Sequence, residues 1–287
     1  MSILYTPTER GFDPRLEAID RCQVGLLREL VGQQGNRLIL KGGMAMRAVF
    51  GGLRLTKDID FDRDPSLSQD ALKKGLLSNL VRAATAAGIR APKAEITKDT
   101  KTTVRARLAG TVAHGTDVRF DVEVSGRRTP NRANLRAEVV SAPARYAMAP
   151  FPVTTYTHEA LAAMKIAAAL SEQRNAPRDL YDLRDLVRAG VDPTALLAQQ
   201  DPALLQDFAH RALRKLEMLS YPLARQELLP YLPAGERDAL TEEAWIEATL
   251  LVAQRVVQWC EAALQRQQHR CAVQGEKTSA GDAGPPP

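Results

Sequence analysis

The sequence has little of the chemistry on which many enzymes rely: among 287 residues there are three cysteines, four histidines and two tryptophans. Cys22, Cys260 and Cys271 are odd in number and widely separated, which favours a reducing cytoplasm and argues against a zinc site. His114 and His158 have no metal-ligand spacing with each other or with a cysteine, and no Gly-x-Ser-x-Gly elbow occurs, so zinc-enzyme and serine-hydrolase chemistries lack support. Long apolar runs are also missing. Ala160 to Leu170 is the most apolar stretch, and it is short and interrupted by Lys165, so no membrane-spanning helix and no membrane partner are expected. The first ten residues lack the basic-then-apolar order of a signal peptide, and a cytoplasmic location is expected.

What is present suits a globular chain, with 45% apolar and 25% charged residues. The net charge of +5 permits a polyanionic partner without requiring one. Periodicity predicts a helix from Pro14 to Leu30 capped by Asp13, a strand at 37–41, a helix over Met44 to Phe50 and an extended run from Leu53 to Phe61. A Ser68-capped helix ending near Gly88 and β-compatible runs at 94–96, 102–112 and 118–124 follow. From Thr157 to about Gln268 the pattern is helical, with Trp245 and Trp259 two heptads apart as expected core residues. Prolines between Pro143 and Pro152 mark a boundary. The expected domains are therefore 1–150 (mixed α and β), 151–272 (a helical bundle) and 273–287 (a disordered tail).

The strongest local signal is Lys41-Gly42-Gly43, followed by Arg54-Leu55-Thr56-Lys57-Asp58-Ile59-Asp60-Phe61. In a strand, Asp58 and Asp60 project to one face while Ile59 and Phe61 enter the core. Adjacent carboxylates repel unless a cation sits between them, and Mg²⁺ prefers one or two carboxylates plus phosphate oxygens. The pair suggests a metal held for phosphoryl or nucleotidyl transfer, although an acidic strand face is often only solvated. Asp62 and Asp64 extend the alternation, but Arg63 and Gln69 stand where a calcium loop needs Gly and Glu.

A diglycine between strand and helix lets backbone amides approach phosphates closely, and the spacing matches neither the Walker loop nor the dinucleotide fingerprint. Asp121 and Glu123 lie opposite Phe120, Val122 and Val124 in an alternating strand, and either can supply a third carboxylate. Lys165 is the only charge in its apolar helical stretch, so its ammonium either snorkels to solvent or meets an anion such as a triphosphate. Replacing it with Met is expected to spare stability and weaken NTP binding. In the next helix Asp179 shares the core-facing arc with Leu183 and Leu186, and Asp182 lies at its edge.

The order of these blocks resembles the polymerase β-like nucleotidyltransferase superfamily and, within it, the AbiEii/AbiGii toxin family associated with abortive infection. The matching residues are Lys41 to Arg47, Arg54 to Asp60, the helix carrying Lys165, and Pro177-Arg178-Asp179-Leu180-Tyr181-Asp182-Leu183. The resemblance implies an α+β fold, with a mixed-sheet transferase domain followed by an all-helical C-terminal domain that completes the active site. It implies Asp58, Asp60 and Glu123 as metal ligands for two Mg²⁺ ions, with Asp121 as the other candidate third carboxylate. Lys41, Gly42, Gly43, Arg54, Thr56, Lys165 and Asp182 become nucleotide contacts, and Lys165 and Asp179 join the catalytic set. The implied reaction moves a nucleoside monophosphate from an NTP to RNA, such as the tRNA 3′ end, in a toxin with a cognate antitoxin. A small-molecule acceptor, or a non-catalytic RNA- or partner-binding module, is the alternative. Many superfamily members carry Gly-Ser in the first motif, whereas Gly43 is followed by Met44, so a hydroxyl contact to phosphate is absent there. Arg105, Arg107, Arg119, Arg127 and Arg128 form an expected acceptor track.

Overall fold

The computed structural model describes residues 11–112 and 115–280, with side-chain surroundings to residue 270. His114 and residues 281–287 therefore lie outside the described residues. Packing divides the described chain into two units. One comprises the residues up to Thr157 together with Arg225–Thr241, and the other comprises His158–Ala224 and the chain from Glu242 onward.

The first unit opens with α1 (Pro14–Gln34), where Asp13 Oδ1 accepts the Arg15 and Leu16 amides and Pro14 occupies the first turn. β1 (Leu38–Lys41) runs directly into α2 (Gly42–Ala48). β2 (Asp58–Arg63) begins later than the extended pattern suggested and runs two residues beyond Phe61. α3 (Gln69–Ala86) is capped by the Ser68 hydroxyl, and β3 (Arg90–Asp99), β4 (Thr103–Thr111) and β5 (Asp117–Ser125) follow.

Two further strands had no counterpart in the sequence reading: β6 (Leu135–Val140) and β7 (Phe151–Tyr156). β7 contains Pro152, which argues locally against a strand. Its register with β1 involves only Thr154 and Thr155, however, so Pro152 falls outside that ladder. The sheet unit thus takes in residues 151–157, beyond the boundary expected at 150.

The seven strands are ordered β3-β4-β5-β2-β1-β7-β6, with β2–β5 and β1–β7 parallel and the other neighbours antiparallel. One face of the central strands buries Ile59, Phe61, Phe120, Val122 and Val124, and this apolar face fixes the register, because a one-residue slip would turn it to solvent. The carboxylates are left on the other face.

The second unit contains α4 (His158–Ala169), α5 (Pro177–Arg188), α6 (Thr194–Leu197) and α7 (Pro202–Glu217). α8 (Tyr221–Glu227) leads out of this unit, α9 (Ala234–Ala239) lies in the segment that rejoins the first unit, and α10 (Glu242–Ala280) returns to the second. Trp245 and Trp259 are buried, and the Trp245 indole donates to the Leu219 carbonyl at 2.6 Å. The expected tail from 273 therefore overlaps α10 as far as Ala280.

Candidate active site

The parallel register of β2 and β5 sets Asp58 beside Asp121 and Asp60 beside Glu123. Paired residues share a face, so four carboxylates form a two-by-two array. On the far side of β5, β4 places Arg107 beside Asp121 and Arg105 beside Glu123. Arg107 Nε lies 2.8 Å from Asp121, and Arg105 Nη2 lies 2.6 Å from Glu123. Hydrogen bonding to Glu123 raises the Arg105 pKa above its usual value, and hydrogen bonding to Asp121 does the same for Arg107. Two of the five arginines expected to form an acceptor track are thus committed to the two candidate third carboxylates.

The glycine turn packs against this array. A Cβ on Gly42 would lie 2.6 Å from Asp60 Oδ2, and its φ of +67° also favours glycine. A Cβ on Gly43 would lie 2.7 Å from Thr56 Oγ1 and 2.9 Å from the Arg54 guanidinium. Gly42, Gly43, Arg54, Thr56 and Asp60 therefore form one close-packed group. Although the motif lacks serine, a hydroxyl does stand beside the turn: that of Thr56, which donates to the Asp58 carbonyl at 3.1 Å.

Lys41 has a different setting from the one the motif suggests. Its ammonium is paired with Asp62, whose other oxygen accepts the Tyr156 hydroxyl at 2.7 Å. Burial, followed by the charge of Asp62, raises the Tyr156 phenol pKa well above its usual value. Asp62 is only 4% exposed, and it was visible in the sequence only as part of a failed calcium loop. Asp64 accepts the Ser66 amide at 2.9 Å and holds a turn.

Among the described residues, no group of three or more His, Cys, Asp or Glu side chains is disposed to hold a metal. Glu123, expected to join Asp58 and Asp60, is instead hydrogen-bonded to Arg105 through both Nε and Nη2. Asp58 and Asp60 still fit Mg²⁺, which needs only one or two protein carboxylates when phosphate and water complete its shell.

A cavity of about 280 Å³ opens beside Asp58 and Asp121, with Thr56, Lys57 and Tyr231 also in its lining. Tyr231 belongs to the segment that rejoins the sheet unit, and its carbonyl accepts the Leu55 amide at 2.8 Å. Local periodicity gave no sign of this residue.

Within the helical unit, Lys165 lies 2.8 Å from Asp179 and 2.6 Å from Asp182. Arg174 lies 2.8 Å from the other oxygen of Asp179. Both aspartates are 1% exposed and Lys165 is 7% exposed. The ammonium therefore does not snorkel; it meets two carboxylates of its own unit. Asp179 occupies the buried side of α5, as its helical phase predicted, and Asp182, expected at the edge of that stripe, is equally buried.

A family model described as nucleotidyl transferase AbiEii toxin, type IV toxin–antitoxin system, matches residues 26–251. The crystal structure of JHP933 from Helicobacter pylori aligns with TM-score 0.54 and 17% identity, covering 92% of this chain and all of that one. A second H. pylori structure, assigned as a nucleotidyltransferase, aligns with TM-score 0.50 and 17% identity over 90% of this chain and 98% of that one. These two similarities establish a shared fold. No curated protein sequence matches the chain.

Proposed function

The chain belongs to the nucleotidyl transferase AbiEii toxin family, and from that premise we propose that it is a Mg²⁺-dependent enzyme that transfers a nucleoside monophosphate from an NTP to an RNA hydroxyl. The observation that carries this reading is the pairing of Asp58 and Asp60 on one strand face with Gly42 packed against Asp60. A metal there would be held by these two carboxylates, with Glu123 as a further ligand once released from Arg105. When bound, it would neutralise phosphate charge and polarise the reacting phosphoryl group.

In the proposed reaction the acceptor oxygen forms a bond to the α-phosphorus, the bond to the β-phosphate bridging oxygen breaks, and pyrophosphate leaves. The hydroxyl proton passes to Asp121 or Glu123. Gly42 and Gly43 let Asp60, Arg54 and the Thr56 hydroxyl pack closely against the turn, whose backbone amides would contact phosphate. Within the helical unit, Asp179 and Asp182 fix the Lys165 ammonium in one geometry. In this reading the enzyme works in the cytoplasm, a tRNA 3′ end is one candidate acceptor and an antitoxin is its regulatory partner.

The small size of the cavity beside Asp58 favours a second reading, in which the acceptor is a small polyhydroxyl molecule. Incubation with Mg²⁺ and each α-labelled NTP, with total RNA in one arm and aminoglycosides in the other, separates the two. Label in RNA is expected. Label only in the small molecule would overturn the RNA assignment, and no transfer in either arm would overturn both readings.

A further inference from the structure

The cavity beside Asp58 has three chemically distinct parts. Leu16 and Ile19, both only half-buried on α1, join Leu55 and the Tyr231 ring as an apolar and aromatic wall. Asp58 and Asp121 contribute carboxylates, the second paired with Arg107, which also lines the cavity, and Lys57 and Arg119 contribute exposed cations. Its volume of about 280 Å³ lies just below the roughly 300–1,000 Å³ common for small-ligand sites, which suits one nucleoside-sized group.

We propose that this cavity receives the terminal nucleoside of the acceptor strand, with Tyr231 as its stacking wall; the inference rests on the nucleotidyl-transfer reading above. Each part of the cavity selects a different part of that ligand. A flat base gains from contact with an aromatic ring whatever its sequence. With Asp121 paired to Arg107 and Asp58 assigned to the metal, the carboxylate end of the cavity is where the reacting ribose hydroxyl belongs. The exposed cations suit the phosphate that links the terminal nucleoside to the rest of the strand. A base, an inward hydroxyl and an outward phosphate together describe the 3′ end of a polynucleotide. If the cavity took the base of the NTP instead, altering Tyr231 would act on KM for the NTP and not on RNA binding.

The fold holds Tyr231 in place by a backbone bond, from the Leu55 amide to its carbonyl, and Lys57 Nζ lies 5.0 Å from the ring centroid. The backbone bond survives a side-chain change, so Tyr231 can be altered without removing the tether.

The test is equilibrium binding of a short single-stranded RNA, labelled at its 5′ end with fluorescein and carrying a free 3′ hydroxyl, alongside steady-state transfer. Tyr231→Leu is expected to weaken RNA binding about tenfold or more and to raise KM for RNA without changing KM for the NTP. Tyr231→Phe should behave like the wild type. The Lys57→Gln, Arg119→Gln double variant should flatten the salt dependence of RNA binding. Unchanged RNA binding by a folded Tyr231→Leu protein would overturn the proposal, as would a rise confined to KM for the NTP. Tyr231-dependent RNA binding by a chain that transfers no label would instead retain the pocket and overturn the transferase mechanism.

Discussion

The sheet unit and the helical unit each gather carboxylates and cations, but they do so under opposite conditions of solvation. On the sheet, Asp58, Asp60, Asp121 and Glu123 are only partly buried: the Arg105 and Arg107 side chains are 40% and 31% exposed, and their partners Glu123 and Asp121 are 14% and 16%. In the helical unit the Lys165 side chain is 8% exposed and its two aspartate partners are 1% and 2% exposed. Charges that water can reach exchange partners at little cost, because exposed pairs contribute only about 0–1 kcal/mol. Removing one member of a buried pair leaves an uncompensated charge and costs roughly 3–5 kcal/mol. The sheet array is thus suited to taking up and releasing a metal and phosphates, whereas the helical cluster is suited to holding one fixed geometry.

The largest expected effect comes from breaking the sheet array. Asp58→Ala should reduce transfer by roughly a thousandfold, the several kcal/mol that a bound metal supplies, while stability changes by no more than about 0.5 kcal/mol. Initial rates and urea unfolding measured on the same preparation check both halves.

Lys165→Met gives the opposite pattern in stability. It removes the buried cation that Asp179 and Asp182 share, leaving Arg174 on Asp179, so urea unfolding should show a loss of about 3 kcal/mol. Because Met keeps the length and apolarity of the lysine stem, the sequence suggested that stability would hold, and the two ion pairs reverse that expectation. If Lys165→Met proved as stable as the wild type, the contrast between the units would fail.

Tyr156→Phe sharpens the comparison inside the sheet unit, where one buried hydrogen bond to a charged group should contribute about 2 kcal/mol. Because the folded-state pKa of Tyr156 is raised, this contribution is complete below the tyrosine value of the unfolded chain, near 10, and is lost as pH rises beyond it. The stability difference between wild type and variant should therefore be level from about pH 7 to 9 and shrink above about 10.

Arg105→Gln should have the smallest effect. It frees Glu123 from a competing cation, so half-maximal activity should need about threefold less Mg²⁺, with stability changed by less than about 0.5 kcal/mol. A need for more Mg²⁺ would show that Arg105 helps to assemble the metal site.

Much of the site can be read locally. Strand alternation places Asp58 and Asp60 on one face and Asp121 and Glu123 on another strand's polar face, and helical phase buries Asp179. Chain pairing is what local periodicity cannot supply. The bond from Tyr156 to Asp62 spans 94 residues, and Tyr231 reaches Leu55 only because a late segment rejoins the sheet unit. The commitment of Arg105 and Arg107 to Glu123 and Asp121 likewise depends on the β4–β5 register. β7 was hidden by Pro152, whose effect depends on where the β1 ladder stops.

The most direct test of the central claim is to compare wild type and Asp60→Asn for α-labelled nucleotide incorporated into RNA and pyrophosphate released. The account predicts one pyrophosphate per nucleotide incorporated by the wild type, and loss of both products in an Asp60→Asn protein that unfolds at the same urea concentration. Equal incorporation by the two proteins would contradict the assignment of Asp60 to the catalytic centre.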